Sequence, residues 1–446
     1  MIRRRKVAPP IFLLVVLTAS VCVSPVPALA QKSALARDSL SLAELQSQAV
    51  QRDPRARQLD LLASQSALRQ QNIGAARLPT VGAIGQAQYQ SDVVTLPFQL
   101  PGGVSVPAFF HDTYDASLLV QQPLYDRGIG ARRGIERAQL AASQASVQAS
   151  LFTLRQSVND AYFAALMQQL QSAEQNSAIT DLEAQLRVAN NRVQHGTALP
   201  SEAEMLEAEV LRRRQAVAEL VASRDASLAI LSDLAGHAVA SADALAIPDL
   251  SASVARVRSA LDTLRTRPEY QQFALSREVL TRQQASLGAA DLPRVLAFGR
   301  AGYGRPGLNP FARDFDSYWL AGVKVDWSPW NWGTTRREQQ ALTLQQQMVA
   351  SDEAAFQKSV RRGVTRSLAS IDQLQHTLVD DDTIVALRER ILRETRFRFA
   401  EGVITSAEYV DRETDLLNAR LARVMHNVQL AEARANLLTS LGIETR

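Results

Sequence analysis

The chain has 446 residues, 46% of them hydrophobic, with 49 basic side chains, 45 acidic ones and a single cysteine. One cysteine excludes a disulfide scaffold. The formal charge of +4 does not speak for a nucleic-acid partner, because the first thirty residues hold four basic side chains and no acid, which leaves 45 against 45 beyond them.

Those first residues read as an export signal. Arg3, Arg4, Arg5 and Lys6 form a basic start, Ile11 to Val23 an apolar run, and Ala28-Leu29-Ala30 a small-residue cleavage site. The expectation is a signal peptide over 1–30 and a mature chain from Gln31. An uncleaved anchor is the alternative, but the apolar run is short for a membrane span. Cys22 lies inside the signal behind Ala19-Ser20-Val21, a poor lipobox, so no lipid anchor is expected. Beyond the signal there is no long apolar run. Any membrane contact must then be made by strands.

Residues 31–78 carry helical patterns and end at Leu78-Pro79. Residues 79–128 hold two alternating segments around a Gly/Pro-rich loop. Val81, Ala83, Gly85, Ala87 and Tyr89 share one face of the first, and Tyr114, Ala116, Leu118 and Val120 one face of the second; Gln86, Gln88, Asp115 and Ser117 point the other way. Residues 129–236 predict a long helical hairpin. From Ala131 to His195 there is no proline, and as one helix these 65 residues would extend ~100 Å. Apolar positions 147, 151, 154, 158, 161 and 165, then 179, 182, 186, 189 and 193, follow coiled-coil spacing.

The plan then repeats. Residues 237–292 are a linker with helices, 293–333 a second pair of alternating segments, and 334–446 a second long helical hairpin. Pro54 and Leu78-Pro79 recur as Pro268 and Leu292-Pro293 at an offset of 214, Val120 and Gly128 as Val325 and Gly333 at 205, and Gly196 and Gly236 as Gly402 and Gly442 at 206. The face Val81, Ala83, Gly85, Ala87, Tyr89 returns unchanged as Val295, Ala297, Gly299, Ala301, Tyr303. An internal duplication of one structural unit is the expectation. All four tryptophans, Trp319, Trp327, Trp330 and Trp332, fall where the last alternating segment meets the last long helix; Tyr125 is the first copy's counterpart. Trp and Tyr suit a membrane–water interface, where an apolar ring needs a polar partner for its N–H or O–H.

Each alternating segment is about 10 residues long, the length of a tilted membrane strand. Two soluble hairpins on a core would show a similar pattern. In lipid, however, four strands leave open edges whose N–H and C=O groups have no partners. Closure then needs several chains, and three would pool twelve strands.

The Pro-led helix before Leu-Pro, the paired strands, the junction "PWNWG" and the run "RFAEGVITSAEYVDRETDLLNARL" resemble the TolC-like outer membrane efflux proteins. The resemblance implies an α+β membrane protein. It is a trimer with a 12-stranded outer-membrane β-barrel, four strands per chain, continued by an α-helical coiled-coil periplasmic tunnel. Residues 42–77 and 237–290 correspond to a belt around the tunnel's middle. The implied function is a passive exit duct of a tripartite efflux or type I secretion system in a Gram-negative outer membrane. Its implied partners are two further copies, outer-membrane lipid, a periplasmic adaptor protein and an inner-membrane pump of RND, ABC or MFS type. The competing reading is a periplasmic coiled-coil scaffold without a pore.

Two glycine turns close the helical hairpins. The resemblance makes Gly196, Thr197, Ala198 and Leu199, with Gly402, Val403, Ile404 and Thr405, the tips that touch the adaptor. Glu202 follows the first turn; Glu408 and Asp411 follow the second and share a helix face. Threefold rings of these acids would favour cations in a narrow entrance, and the family places its entrance acids at Glu408 and Asp411. A first-turn acid that complements the helix dipole is the other reading of each. Relatives with a polar-tethered entrance carry a hydroxyl-bearing aromatic and an Arg where this chain has Phe399 and Ile404, so those tethers are expected to be missing. The five histidines are scattered without metal-ligand spacing, and no nucleophile motif or P-loop is present. No cofactor, metal, nucleic acid or enzymatic activity is expected. The acidic run "VDDDTI" at 379–384 reads as a helix-face cluster rather than a cation site.

Overall fold

A computed structural model describes residues 40–94, 109–240, 244–258, 266–310 and 312–445. The expected signal peptide, Cys22, Gln31 and the middle of the first strand–strand loop lie outside the described residues. The rest is mostly helical, with one four-stranded sheet. In chain order the elements are α1 (Leu42–Arg52), a 3-10 turn (Pro54–Ala56), α2 (Arg57–Ala75), β1 (Thr80–Tyr89), β2 (Asp112–Tyr125), α3 (Arg127–Phe152), α4 (Leu154–Gln194), α5 (Pro200–Ala235), α6 (Ser251–Arg258), α7 (Pro268–Ala290), β3 (Arg294–Arg305), β4 (Asp316–Asp326), α8 (Thr334–Ala400) and α9 (Ser406–Leu441).

The sheet is antiparallel in the order β1-β2-β3-β4. Its register puts Val81 beside Val120, Val120 beside Gly299, and Gly299 beside Ala321. The apolar faces read from the alternation therefore merge into one surface, on which Val81, Leu118, Trp319 and Val323 are all exposed. The opposite face is mixed, with a charged cluster among Ile84, Leu119, Phe298 and Leu320. Arg300 reaches Asp115 at 2.5 Å and Ser117 at 2.9 Å, and the Tyr318 hydroxyl donates to Asp115. Glycines there make room for rings. A Cβ on Gly302 would lie 2.7 Å from Tyr318, and one on Gly322 would lie 2.9 Å from Phe298. β2 runs to Tyr125 through Pro123, where the register shifts; a residue without N–H is tolerated at such an irregularity.

The long helices form as their spacing predicts. Positions 147, 151, 154, 158, 161, 165, 179, 182 and 189 are all buried. The stretch expected as one helix is interrupted only at Thr153, between α3 and α4. There Ser150 donates its hydroxyl to the Val147 carbonyl and Thr153 donates to the Ser150 carbonyl, each at 2.7 Å. Such back-bonding competes with the helix ladder and bends it. α8 has 67 residues without a break and so extends ~100 Å. Among the described residues no helix is long and apolar enough to cross a membrane.

Two main cores hold the helices. One joins α1 to α4, α5, α8 and α9 around Tyr162, Phe163, Leu166, Leu231, Ile371 and Leu438. The other sits toward the hairpin turns around Leu182, Leu206, Phe399, Ile404 and Tyr409. The two stretches matched to the belt divide in the structure. α1 packs on α4 and α5, and α6 on α9, whereas α2 and α7 lie along α3 and α8.

Candidate functional site

Both hairpin turns are built the same way. Gly196 (φ 72°) ends α4 and Gly402 (φ 77°) ends α8 in the left-handed region, where a Cβ is disfavoured. The next residue turns its N–H back into the helix, Thr197 onto the Arg192 carbonyl at 2.8 Å and Val403 onto the Arg398 carbonyl at 2.9 Å. This satisfies carbonyls that a helix end leaves unpaired. Pro200 then starts α5, and Thr405 caps α9, its hydroxyl accepting the Glu408 N–H at 3.3 Å. Leu199 and Val403 stand exposed at the tips, while Ile404 is buried.

Arg192 ties the two turns together. Its Nη1 donates to the Phe399 carbonyl at 3.2 Å, its Nη2 reaches the Thr197 carbonyl at 3.5 Å, and its guanidinium lies 5.8 Å from the Phe399 ring centre. Phe399 stacks on Tyr409 at 5.1 Å between centroids. The Phe399 and Ile404 side chains are both buried, so they hold the second tip by packing, beside the bond from Arg192 to the Phe399 carbonyl. Of the three acids, Glu408 and Asp411 are exposed on α9. Glu202 is half-buried with Arg192 4.0 Å away, and its Oε2 is buried without a hydrogen-bond partner.

Behind the tips lies a charged layer between the hairpins. Arg213 of α5 donates through Nε to Glu209 at 2.8 Å, and through Nη2 to Glu413 of α9 and to the Thr414 hydroxyl at 3.1 Å. Arg212 grips Glu209 from the outside with bonds of 2.7 and 2.6 Å. The Glu209–Arg213 half is legible in the sequence as a helical i,i+4 pair. Glu413, 200 positions away, is not, and inside "DRETD" it looks like any solvated acid. Arg192 likewise reads as an ordinary basic residue near a helix C-terminus.

At the other end, Trp319, Trp327, Trp330, Trp332 and Tyr125 are all exposed. Trp327 donates its Nε1 to the Asp291 carbonyl at 3.2 Å, and Trp330 and Trp332 pack edge to face at 5.8 Å. Trp332 (φ 55°) and Gly333 (φ 73°) turn the chain from β4 into α8. Asn331 fixes this junction by donating to Asp291 at 3.0 Å and accepting the Gly333 N–H at 3.1 Å. Two of the three acids of the run on α8 are paired with neighbours. Asp381 pairs with His426 and Asp382 with Arg423, each at 2.6 Å. Among the described residues no group of three His, Cys, Asp or Glu could hold a metal ion.

Residues 259–443 match the family model described as outer membrane efflux protein. No curated protein matches the chain. Among solved structures, the outer membrane protein VceC of Vibrio cholerae is 16% identical with a TM-score of 0.64, over 91% of this chain and 97% of that one. The MtrE outer membrane channel of Neisseria gonorrhoeae, solved in its open state, is 18% identical with a TM-score of 0.62, over 91% and 89%. The CmeC outer membrane channel of Campylobacter jejuni is 14% identical with a TM-score of 0.62, over 91% and 86%. At these identities the likeness is one of fold.

Proposed function

We propose that this chain, whose residues 259–443 match the outer membrane efflux protein model, is the outer-membrane exit duct of a tripartite efflux or type I secretion system. The observation that carries this reading is the sheet. One face is apolar and exposed to water in the single chain, the other carries the sheet's charged and amide side chains, and β1 and β4 are edges. An exposed apolar sheet of this size needs lipid or protein against it, and its edges need strands. Three copies, each joining β4 to the next β1, satisfy both demands with twelve strands and no edge. The order α2-β1-β2-α3-α4-α5, followed by α7-β3-β4-α8-α9, supports an internal duplication. Residues 31–78 and 237–292 then flank the strand pairs 79–128 and 293–333, which lead into the hairpins 129–236 and 334–446.

In this reading Trp327, Trp330, Trp332 and Tyr125 sit at headgroup level, where the barrel leaves the membrane on the periplasmic side, and Trp319 sits near the far end of its outward strand face. The tips 196–199 and 402–405 meet a periplasmic adaptor, with Leu199 and Val403 as the exposed apolar contacts. An inner-membrane pump of RND, ABC or MFS type supplies the energy. Exposed Glu408 and Asp411 form the cation-favouring ring at the entrance; Glu202, beside Arg192, contributes less. Planar-bilayer recording of the purified protein tests the whole. The expected result is a cation-preferring conductance from an SDS-resistant trimer, reduced in preference by Glu408→Ala with Asp411→Ala. A soluble monomer without conductance would instead favour a coiled-coil scaffold. Unchanged selectivity in the double variant would remove the two acids from the entrance.

A further inference from the structure

The Arg213 layer is an unusual thing to bury between two packed helices. Arg213 and Glu413 side chains are only 3% and 4% exposed, and Leu206, Val210, Leu416 and Leu417 are buried around them. One guanidinium faces two carboxylates, Glu209 from its own helix and Glu413 from the other hairpin. The remaining groups do not restore the balance. Arg212 serves Glu209 from an exposed position. From α4, Asp181 adds a further negative charge toward Glu413, although Arg396 of α8 holds it at 3.2 Å. Arg420 of α9 helps from a distance but is paired with Glu389 at 2.7 Å. The Tyr409 phenol is buried beside them, pushed up by burial, and offers no charge near neutrality.

We propose that Glu413 is a proton-controlled latch between α5 and α9 just behind the tips: protonated, it keeps the two hairpins packed, and on ionising it loosens them. A neutral Glu413 still accepts from Arg213 and leaves one carboxylate to that guanidinium. An ionised one adds a second buried negative charge, whose desolvation the single Arg does not offset.

The direction in pH follows. Burial, above all, and then the charges of Glu209 and Asp181 outweigh Arg213, and together they raise the Glu413 carboxyl from 4.5 to about 7. A group raised on packing stabilises the packed state below its free value and loses that effect as pH rises through its packed value. The latch is therefore fully effective below about 4.5 and released above about 7. Glu209 does not mask it. Burial alone would raise Glu209, but the hydrogen bonds and charges of Arg212 and Arg213 prevail and hold it below its ordinary range, so it stays ionised across this window. The consequence for gating rests on the exit-duct reading; the titration itself does not.

The test is hydrogen exchange on the full protein in detergent at pH 5.5 and 8, each rate divided by its intrinsic value, beside bilayer conductance. Amides of 205–214 and 405–417 are expected to exchange about tenfold faster at pH 8 in the native protein, and equally at both pH values in Glu413→Gln. Infrared spectra at pH 5.5 should carry a protonated-carboxyl band that the variant lacks. Equal pH dependence in both proteins, or none in the native one, overturns the latch. A conducting channel with flat exchange removes the latch and leaves the duct; titrating exchange without conductance does the reverse.

Discussion

The two cores solve one problem, joining the first hairpin to the second, with opposite chemistry. The core at α1 uses neutral groups. Asn159, fully buried, accepts from Gln46 at 2.5 Å and donates to Asn436 and Thr439 at 3.0 Å each. Gln46 in turn accepts from Thr445 at 2.9 Å, so α1, α4, α9 and the residues after α9 share one network. The core behind the tips uses Arg213, Glu209 and Glu413. Satisfied amides lock a structure at little cost in desolvation. Buried charges hold only while their balance holds. On the proposed exit-duct reading, the contrast would make the chain rigid around α1 and able to move behind the hairpin tips.

Removing one member from each core should separate the two designs. Arg213→Ala strands Glu209 and Glu413 in an apolar layer and should cost about 3–5 kcal/mol. The loss should be local: exchange protection should fall over 205–214 and 405–417 while α1 and the middle of α4 keep theirs. A uniform loss along the helices would make the two cores a single cooperative unit. Asn159→Ala removes three bonds between neutral groups and should cost about 2–3 kcal/mol. Its cost should be the same at pH 5.5 and 8, since none of its partners ionises there. Thermal melting at the two pH values checks both statements.

The same contrast explains what the sequence made legible. Features repeated along one element could be read directly: the seam from 147 to 193, the alternating faces, the left-handed glycines at 196 and 402. Each depends on a local period or a local backbone demand. The turn at Asn331-Trp332-Gly333 was legible for the same reason, as a local change of pattern beside Trp327 and Trp330. Partners between hairpins were not legible. Glu413 and Arg192 owe their roles to residues about two hundred positions away, Arg213 and Phe399, and nothing in their own neighbourhoods marks them. The break at Thr153 also went unread, although Ser150 and Thr153 supply its cause locally. The division of the belt stretches depended on how α2 and α7 dock along α3 and α8, which their own amphipathicity does not specify.

The smallest effects should resolve the clasp at the tips. Arg192→Ala removes a charged hydrogen bond to the Phe399 carbonyl and should cost about 1–2 kcal/mol, read as faster proteolysis within 396–405. The two turn glycines then make a controlled pair. Both have left-handed φ, so Gly196→Ala and Gly402→Ala should each cost about 1 kcal/mol for the backbone alone. Around Gly196 a new Cβ meets nothing within 4 Å, whereas at Gly402 it would lie 2.7 Å from Arg192 Nη2. Gly402→Ala must therefore also push Arg192 away from the turn, and it should be the more damaging of the two by a few tenths of a kcal/mol, since the obstacle is a flexible side-chain end. In an Arg192→Ala background that excess should vanish and the two substitutions should become equal. If the excess persists there, the second turn is held by the stacking of Phe399 on Tyr409 and Arg192 is a bystander. If no excess exists in the native background, the guanidinium moves aside freely and the two tips are joined only by the core behind them.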